Sequence, residues 1–168
     1  MFQERRYQFS DLDDTENVEL YRPGGLHPVR IGDVFANGRY KVLHKLGHGG
    51  SSTVWLARDQ RPQSSVSATL VASKILFADR SCKSKDEIPD FVFPSKLGAF
   101  ASAEHSPARH NVLIIKDDFM EEGPNGMHLR TVSHLAGLSV ASMSRSGIKF
   151  PGSKRLPADL ARKVAKPW

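Results

Sequence analysis

The residues best suited to form a chemical site are a glycine cluster and a lysine that follows it. The lysine stands 20 residues after Val54, the valine that flanks the cluster. The cluster is Gly47-His48-Gly49-Gly50, followed by Ser51-Ser52-Thr53-Val54, and the lysine ends the run Val71-Ala72-Ser73-Lys74. Glycines let backbone amides approach phosphate oxygens, because no β-carbon stands in the way. A lysine on a neighbouring strand can neutralise those phosphates. Glycines alone fit an ordinary hairpin turn, but the lysine strand at this separation favours a phosphate-binding site.

The elements that would position these residues are mostly β-strands. Apolar and polar residues alternate over 40–46, strand-forming residues resume over 53–57, and a third run covers 69–76. A second hairpin is predicted from the apolar run 111–119, the turn Gly123-Pro124-Asn125-Gly126 and the run 127–134. The sequence thus predicts a five-stranded antiparallel sheet.

Helical structure is predicted in only two places. The segment 84–100 could cross between strands, but Pro89 and Pro94 each remove a backbone donor, so an irregular helix is expected there. Leu156, Leu160 and Val164 form an i, i+4, i+8 stripe that predicts the start of another helix.

The charge distribution divides the chain into three parts. Residues 1–22 are acidic and without sustained periodicity, which predicts a flexible leader, and 23–137 form the folded domain. Residues 138–168 are basic and are expected to hold a linker and the start of a further helical region. Because the net charge of +6 comes largely from this tail, direct nucleic-acid binding is not expected.

Composition excludes several other classes of protein. The chain has no apolar stretch near the length that spans a bilayer, and its charged start is unlike a signal peptide. Cys82 is the single cysteine, which suits the cytoplasm or nucleus and is interpreted as an ordinary small side chain. The seven histidines lack metal-ligand spacing, so no metal site is predicted.

Further motifs strengthen the interpretation of the glycine cluster and are spread over residues 20 to 166. They are Tyr21, Gly24-Gly25-Leu26-His27-Pro28-Val29, Ile31-Gly32-Asp33, Asn37-Gly38-Arg39-Tyr40, Ser52-Thr53-Val54-Trp55-Leu56-Ala57-Arg58-Asp59, Asp117-Asp118-Phe119, His128-Leu129, Leu156-Pro157 and Ala161-Arg162. With the glycine loop and the second turn, they resemble the N-terminal lobe of serine/threonine protein kinases, closest to the SR-protein kinases of fungal type. The resemblance implies an α+β fold, with a kinase-like N-terminal lobe and the start of the C-terminal lobe helices.

The same resemblance implies ATP as the bound nucleotide. Leu46, Val54 and Ala72 would enclose adenine, the loop glycines would cover the phosphates, and Lys74 would hold the α- and β-phosphates. A hinge over 134–136 would bond adenine, with Ser133 at the gatekeeper position. The residues expected at the nucleotide are Leu46, Gly47, His48, Gly49, Gly50, Ser51, Ser52, Thr53, Val54, Ala72, Lys74, His134 and Ala136.

Two positions depart from the family pattern. The hinge normally resembles Val-Phe-Glu, whereas Val132-Ser133-His134 has neither the aromatic nor the acid, and a smaller gatekeeper would enlarge the back of the pocket. The acid that pairs with the lysine has two candidates, since Asp90 fits an ungapped match and Glu87 fits a local one.

The family's catalytic loop, Asp-Phe-Gly metal site and activation segment have no counterpart in these 168 residues. The resemblance therefore implies a truncated kinase with no catalytic base, which would hold Mg²⁺ only if a C-terminal lobe were supplied. Phosphorylation of Arg/Ser-rich proteins is implied only for a full-length form. Two alternatives stay open: a non-catalytic nucleotide-binding or regulatory half-domain, akin to a pseudokinase, and a decayed or mispredicted gene product.

Overall fold

The computed structural model describes residues 16–61, 69–101 and 113–136, and these residues build one antiparallel sheet with a helix beside it. The strands are β1 (Val34–Phe35), β2 (Tyr40–Gly49), β3 (Ser52–Asp59), β4 (Thr69–Leu76), β5 (Ile115–Gly123) and β6 (Gly126–His134). The helices are α1 (Ala78–Ser81) and α2 (Pro89–Ala101), and short 3-10 turns cover Val18–Leu20 and Lys85–Glu87.

The sheet has the order β1-β2-β3-β4-β6-β5. The antiparallel architecture predicted from the sequence is confirmed, with six strands rather than five. The extra strand, β1, pairs only Val34 with Lys41 and Phe35 with Tyr40. Two residues are too few to produce a periodic pattern, which is why sequence periodicity did not indicate this strand.

The helix α2 is longer and more continuous than its prolines predicted, extending over 13 residues with Pro94 inside it. Pro89 is its first residue, where a missing N–H costs nothing because the first turn has no internal partner for it. Pro94 deprives the carbonyl of Asp90 of its usual helical partner four residues on. Pro94 therefore interrupts the backbone hydrogen bonds of the helix, whereas Pro89 only stands at the start of the helix.

One face of the sheet, here called the back face, carries most of the core. Buried apolar side chains from β1 to β4 and β6 form two clusters there: Phe35, Val42, Trp55 and Ile75, and Tyr40, Ala57, Val71 and Val132. The segment 24–35, here called the strap, lies across this face. Its buried residues include Gly25, Leu26, His27 and Phe35.

The predicted leader and tail fall mostly outside the described residues. Residues 1–15 and 138–168, with the helix expected at 156–166, are among those the structure does not describe. Residues 16–22 differ from a flexible leader, since Glu16 accepts hydrogen bonds from the Tyr21 hydroxyl at 2.5 Å and from Lys45. Residues 16–22 thus include a contact with the sheet, ahead of the boundary predicted at residue 23.

Candidate functional site

A cleft of about 610 Å³ opens on the face of the sheet opposite the strap. This volume lies in the range of small-molecule binding sites. Side chains and backbone from five strands (β2 to β6), the helix α2 and the segments just before β5 and just after β6 surround it. They are Leu46, Val54, Ala72, Lys74, Asp90, Pro94, Leu113, Ile115, Thr131, Ser133, His134, Leu135 and Ala136.

Strand register explains why residues distant in sequence meet in this cleft. Val54 lies opposite Lys74, and Lys74 lies opposite Thr131. Ala72 lies opposite Ser133 on the same pair of strands. Because side chains two residues apart share a face, these five project from the sheet together.

Lys74 makes the one charged contact in the cleft among the described residues. Its Nζ atom lies 2.5 Å from Oδ1 of Asp90 in the first turn of α2. The two side chains are 33% and 36% exposed, so the pair is open to solvent and to a ligand. Of the two acids considered from the sequence, the structure brings Asp90 to the lysine, whereas Glu87 lies exposed in the preceding 3-10 turn.

The glycine cluster forms the tip of the β2–β3 hairpin. Gly49 pairs with Ser52, so Gly50 and Ser51 make the turn. Gly47 has φ of +155°, a conformation that residues with a β-carbon rarely adopt. A β-carbon added at Gly47 or Gly50 would meet no atom within 4 Å, so packing within the protein does not require these glycines.

A register shift next to the glycines leaves Leu46 as an extra residue between the Lys45 and Gly47 pairs. A bulge of this kind redirects a side chain away from the regular alternation. Leu46 is 45% exposed and lies at the rim of the cleft. Strand β2 therefore provides both an apolar residue at the rim of the cleft and the glycines of the hairpin tip.

The structure brings together only part of the predicted site. Leu46, Val54, Ala72, Lys74, His134 and Ala136 line the cleft. Gly47, His48, Gly49, Gly50 and Ser51 form the hairpin tip beyond it, and Ser52 is buried. Thr53 faces the back, where its hydroxyl oxygen accepts the Trp55 indole N–H at 3.0 Å, and its side chain does not reach the cleft.

Several lining residues were missed by the sequence reasoning. Thr131 could have been found, because it stands two residues before Ser133 on the same strand. Pro94, Leu113 and Ile115 could not, since their positions depend on how α2 and β5 pack. Leu135 lies within the segment 134–136 that was predicted as the hinge.

The segment predicted as a hinge leaves the sheet at the end of β6. His134 pairs with Val71, and the Ser133 hydroxyl donates to the His134 carbonyl at 3.3 Å. Ser133 is buried and fills little space, so the cleft continues past it to Thr131. The lining at this end of the cleft therefore consists of the small or polar residues Thr131 and Ser133.

Within the described residues, no group of three or more His, Cys, Asp or Glu side chains is arranged to hold a metal ion. In the same part of the chain, no helix is long and apolar enough to cross a membrane.

The sequence was also compared with those of known proteins, and it is similar to a family of kinases. No protein-family model matches the sequence. The serine/threonine-protein kinase SKY1 of Saccharomyces cerevisiae is 31% identical over 156 residues, which are 93% of this chain and 20% of that protein. Protein kinase dsk1 of Schizosaccharomyces pombe is 32% identical over 89% of this chain and 25% of its own length. The human SRSF protein kinase 3 is 37% identical over 76% of this chain and 21% of its own length.

The chain is a homologue of the SR-protein kinases. It matches part of their kinase domain and spans about a fifth to a quarter of the length of these relatives. Among solved structures, the crystal structure of the PF14_0431 kinase domain aligns with 71% of this chain and 30% of its own, at 15% identity and a TM-score of 0.46. That similarity is too loose to carry an argument about the cleft.

Proposed function

We propose that this chain is the ATP-binding portion of a protein serine/threonine kinase of the SR-protein kinase family. The observation that carries the proposal is the cleft in which Lys74, paired with Asp90, lies beside an apolar wall and below a glycine hairpin. Apolar walls suit a purine base, and a lysine suits its phosphates.

Each part of the cleft would then have one task. Leu46, Val54 and Ala72 would contact the base, and the backbone of 134–136 would hydrogen-bond its edge. Lys74 would bind phosphate oxygens while Asp90 holds its ammonium group in place. The glycine hairpin would supply backbone N–H groups over the phosphates, because its empty surroundings leave room for them.

We assign no phosphoryl transfer to these 168 residues by themselves. The family's catalytic base and metal-binding residues have no counterpart in the sequence, and transfer depends on positioning and on metal charge. In a longer protein the substrates would be Arg/Ser-rich proteins, a class suggested by the name of the human relative. Mg²⁺ would be held by residues of a C-terminal lobe, and the cytoplasm or nucleus would be the place of action.

The test is a titration with ATP followed by calorimetry and by thermal unfolding. ATP is expected to bind and to raise the midpoint temperature of thermal unfolding, since a ligand that binds only the native state stabilises that state. Lys74→Met should weaken binding about tenfold or more, the size of one lost charge-assisted contact. Lys41→Met is the matched control, because Lys41 is exposed on β2 and does not line the cleft.

The outcomes separate the three hypotheses. Binding that depends on Lys74, with no transfer of phosphate to an Arg/Ser-rich peptide, supports the proposal. If a longer transcript of the same gene then also lacks a catalytic loop, a non-catalytic nucleotide-binding domain is the better description. Absence of ATP binding by a folded chain would overturn the proposal and favour a decayed or mispredicted gene product.

A further inference from the structure

The back face contains a buried positive charge that no described residue contacts through a hydrogen bond. Arg130 on β6 is 0% exposed, and its Nε, Nη1 and Nη2 atoms have no hydrogen-bond partner. Burial lowers the pKa of the guanidinium to about 10, although Glu121 and Asp33 act in the opposite direction. A buried charge without partners loses its hydration and forms no hydrogen bonds to replace it. Its burial therefore lowers the free energy of unfolding.

Two buried histidines surround this charge. His27 of the strap and His128 of β6 have ring centroids 4.8 Å apart, at an angle of 75°. His128 donates from Nδ1 to the Leu76 carbonyl at 2.9 Å, while its Nε2 and the Nδ1 of His27 have no partner. Three neighbouring residues thus carry unsatisfied polar nitrogen atoms beneath the strap.

The strap is what keeps water from Arg130. β6 lies between β4 and β5, so the guanidinium has strands on both sides. The ring of Phe35 covers it, with the guanidinium carbon 3.3 Å from the ring centroid. This stacking supplies some attraction but no hydrogen bonds.

The hydrogen bonds that attach the strap are concentrated at its two ends. At its start, Gly24 donates to the Asn125 carbonyl at 2.8 Å, and the Asn125 side chain donates to the Leu26 carbonyl at 2.6 Å. At its end, the Gly32 N–H donates to the Val42 carbonyl of β2 at 2.9 Å, and the Val42 N–H donates to the Asp33 carbonyl at 2.8 Å. Among the described residues, no backbone hydrogen bond joins 27–31 to the sheet.

We propose that residues 26–35 of the strap open reversibly from the back face while β2 to β6 stay paired, and that unpaired Arg130 is what favours the opening. Water then reaches the guanidinium and hydrates it. The pivot is Gly24-Gly25, where Gly24 has φ of +81°.

Amide hydrogen exchange of the 168-residue chain, followed by NMR, tests this. The Gly32 and Val42 amides, which bond the strap to β2, are expected to exchange at least about tenfold faster than amides of the β3–β4 ladder. Arg130→Met, which removes the charge and keeps most of the volume, should slow exchange at these two amides about tenfold or more. Arg58→Met, at an exposed arginine on β3, is the matched control and should leave them unchanged.

The opposite variant gives an independent measurement. Phe35→Leu removes the ring above the guanidinium and should speed exchange at Gly32 and Val42 without affecting the β3–β4 ladder. The proposal is overturned if strap and ladder amides exchange at one common rate, because the charge would then only lower global stability. It is also overturned if Arg130→Met folds and leaves the exchange of the strap unchanged.

Discussion

The two faces of the sheet are built from alternate residues of the same strands and yet have opposite character. On the cleft face, Val54, Ala72 and Lys74 are only partly buried and leave an open volume between sheet and helix. On the back face, their neighbours Trp55 and Ile75 are buried in a continuous core under the strap. Strand periodicity of two places an open cleft surface and a packing surface one residue apart.

The difference shows where each face tolerates polarity. Lys74 on the cleft face is charged, but its carboxylate partner and the solvent satisfy it. Arg130 on the back face is charged, and neither a partner nor water reaches it among the described residues. Charge is therefore satisfied on one side and a source of instability on the other.

The largest contrast should come from truncating neighbouring side chains on the two faces. Ile75→Ala is expected to lower the free energy of unfolding by about 2–5 kcal/mol, because Ile75 is 0% exposed and its removal leaves a cavity. Val54→Ala on the cleft face should cost about 1 kcal/mol or less, since part of its surface is already in water. Urea unfolding of both variants measures this, and equal losses would mean that the cleft face is also packed.

Acid should destabilise the back face before it affects the cleft. Burial, with the nearby charge of Arg130 and the His128 ring, lowers the pKa of His27 to about 4, while Asp33 acts the other way. Burial also lowers the pKa of His128. The unfolded chain therefore binds more protons than the folded one below the usual value of 6.5. Stability is complete above that pH and falls as the pH drops towards 4, by about 3 kcal/mol for His27. Protonation of His128 acts in the same direction.

Unfolding free energies measured between pH 7 and pH 5 test this expectation. His27→Gln should flatten the pH profile without abolishing it, because His128 still titrates and faces Arg130 and Glu121. His44→Gln, at an exposed histidine of β2, should leave the slope as in the parent chain. A profile that His27→Gln does not change would show that the histidines are not the source of acid sensitivity.

Local pattern made much of the fold predictable. The hairpin turns, the strand 69–76 and the face that Lys74 shares with Ala72 all follow from glycine positions and alternation. The continuous helix through Pro94 could not be predicted, because tertiary contacts of Ile88 and Phe91 with Leu76 and Leu129 hold it in place.

The burial of Arg130 could not be predicted from the sequence either. An arginine between Leu129 and Thr131 on a strand predicts an exposed side chain, and only the path of the strap reverses that. The choice of Asp90 over Glu87 likewise depends on where α2 begins. Sequence periodicity assigns residues to faces, but which face is covered is decided by segments that pack from elsewhere.

The finest comparison adds volume at two alanines, one on each face. Ala72→Leu fills the cleft between Val54 and Ser133, so ATP affinity should fall about tenfold while stability changes by less than about 1 kcal/mol. Ala57→Leu inserts the same atoms into the back core, where Ala57 is 1% exposed and has no room. It should cost about 1–3 kcal/mol of stability and leave the ATP affinity of the folded fraction unchanged. Calorimetric titration and urea unfolding of both variants decide the matter, and loss of stability in Ala72→Leu would mean that the cleft closes in solution.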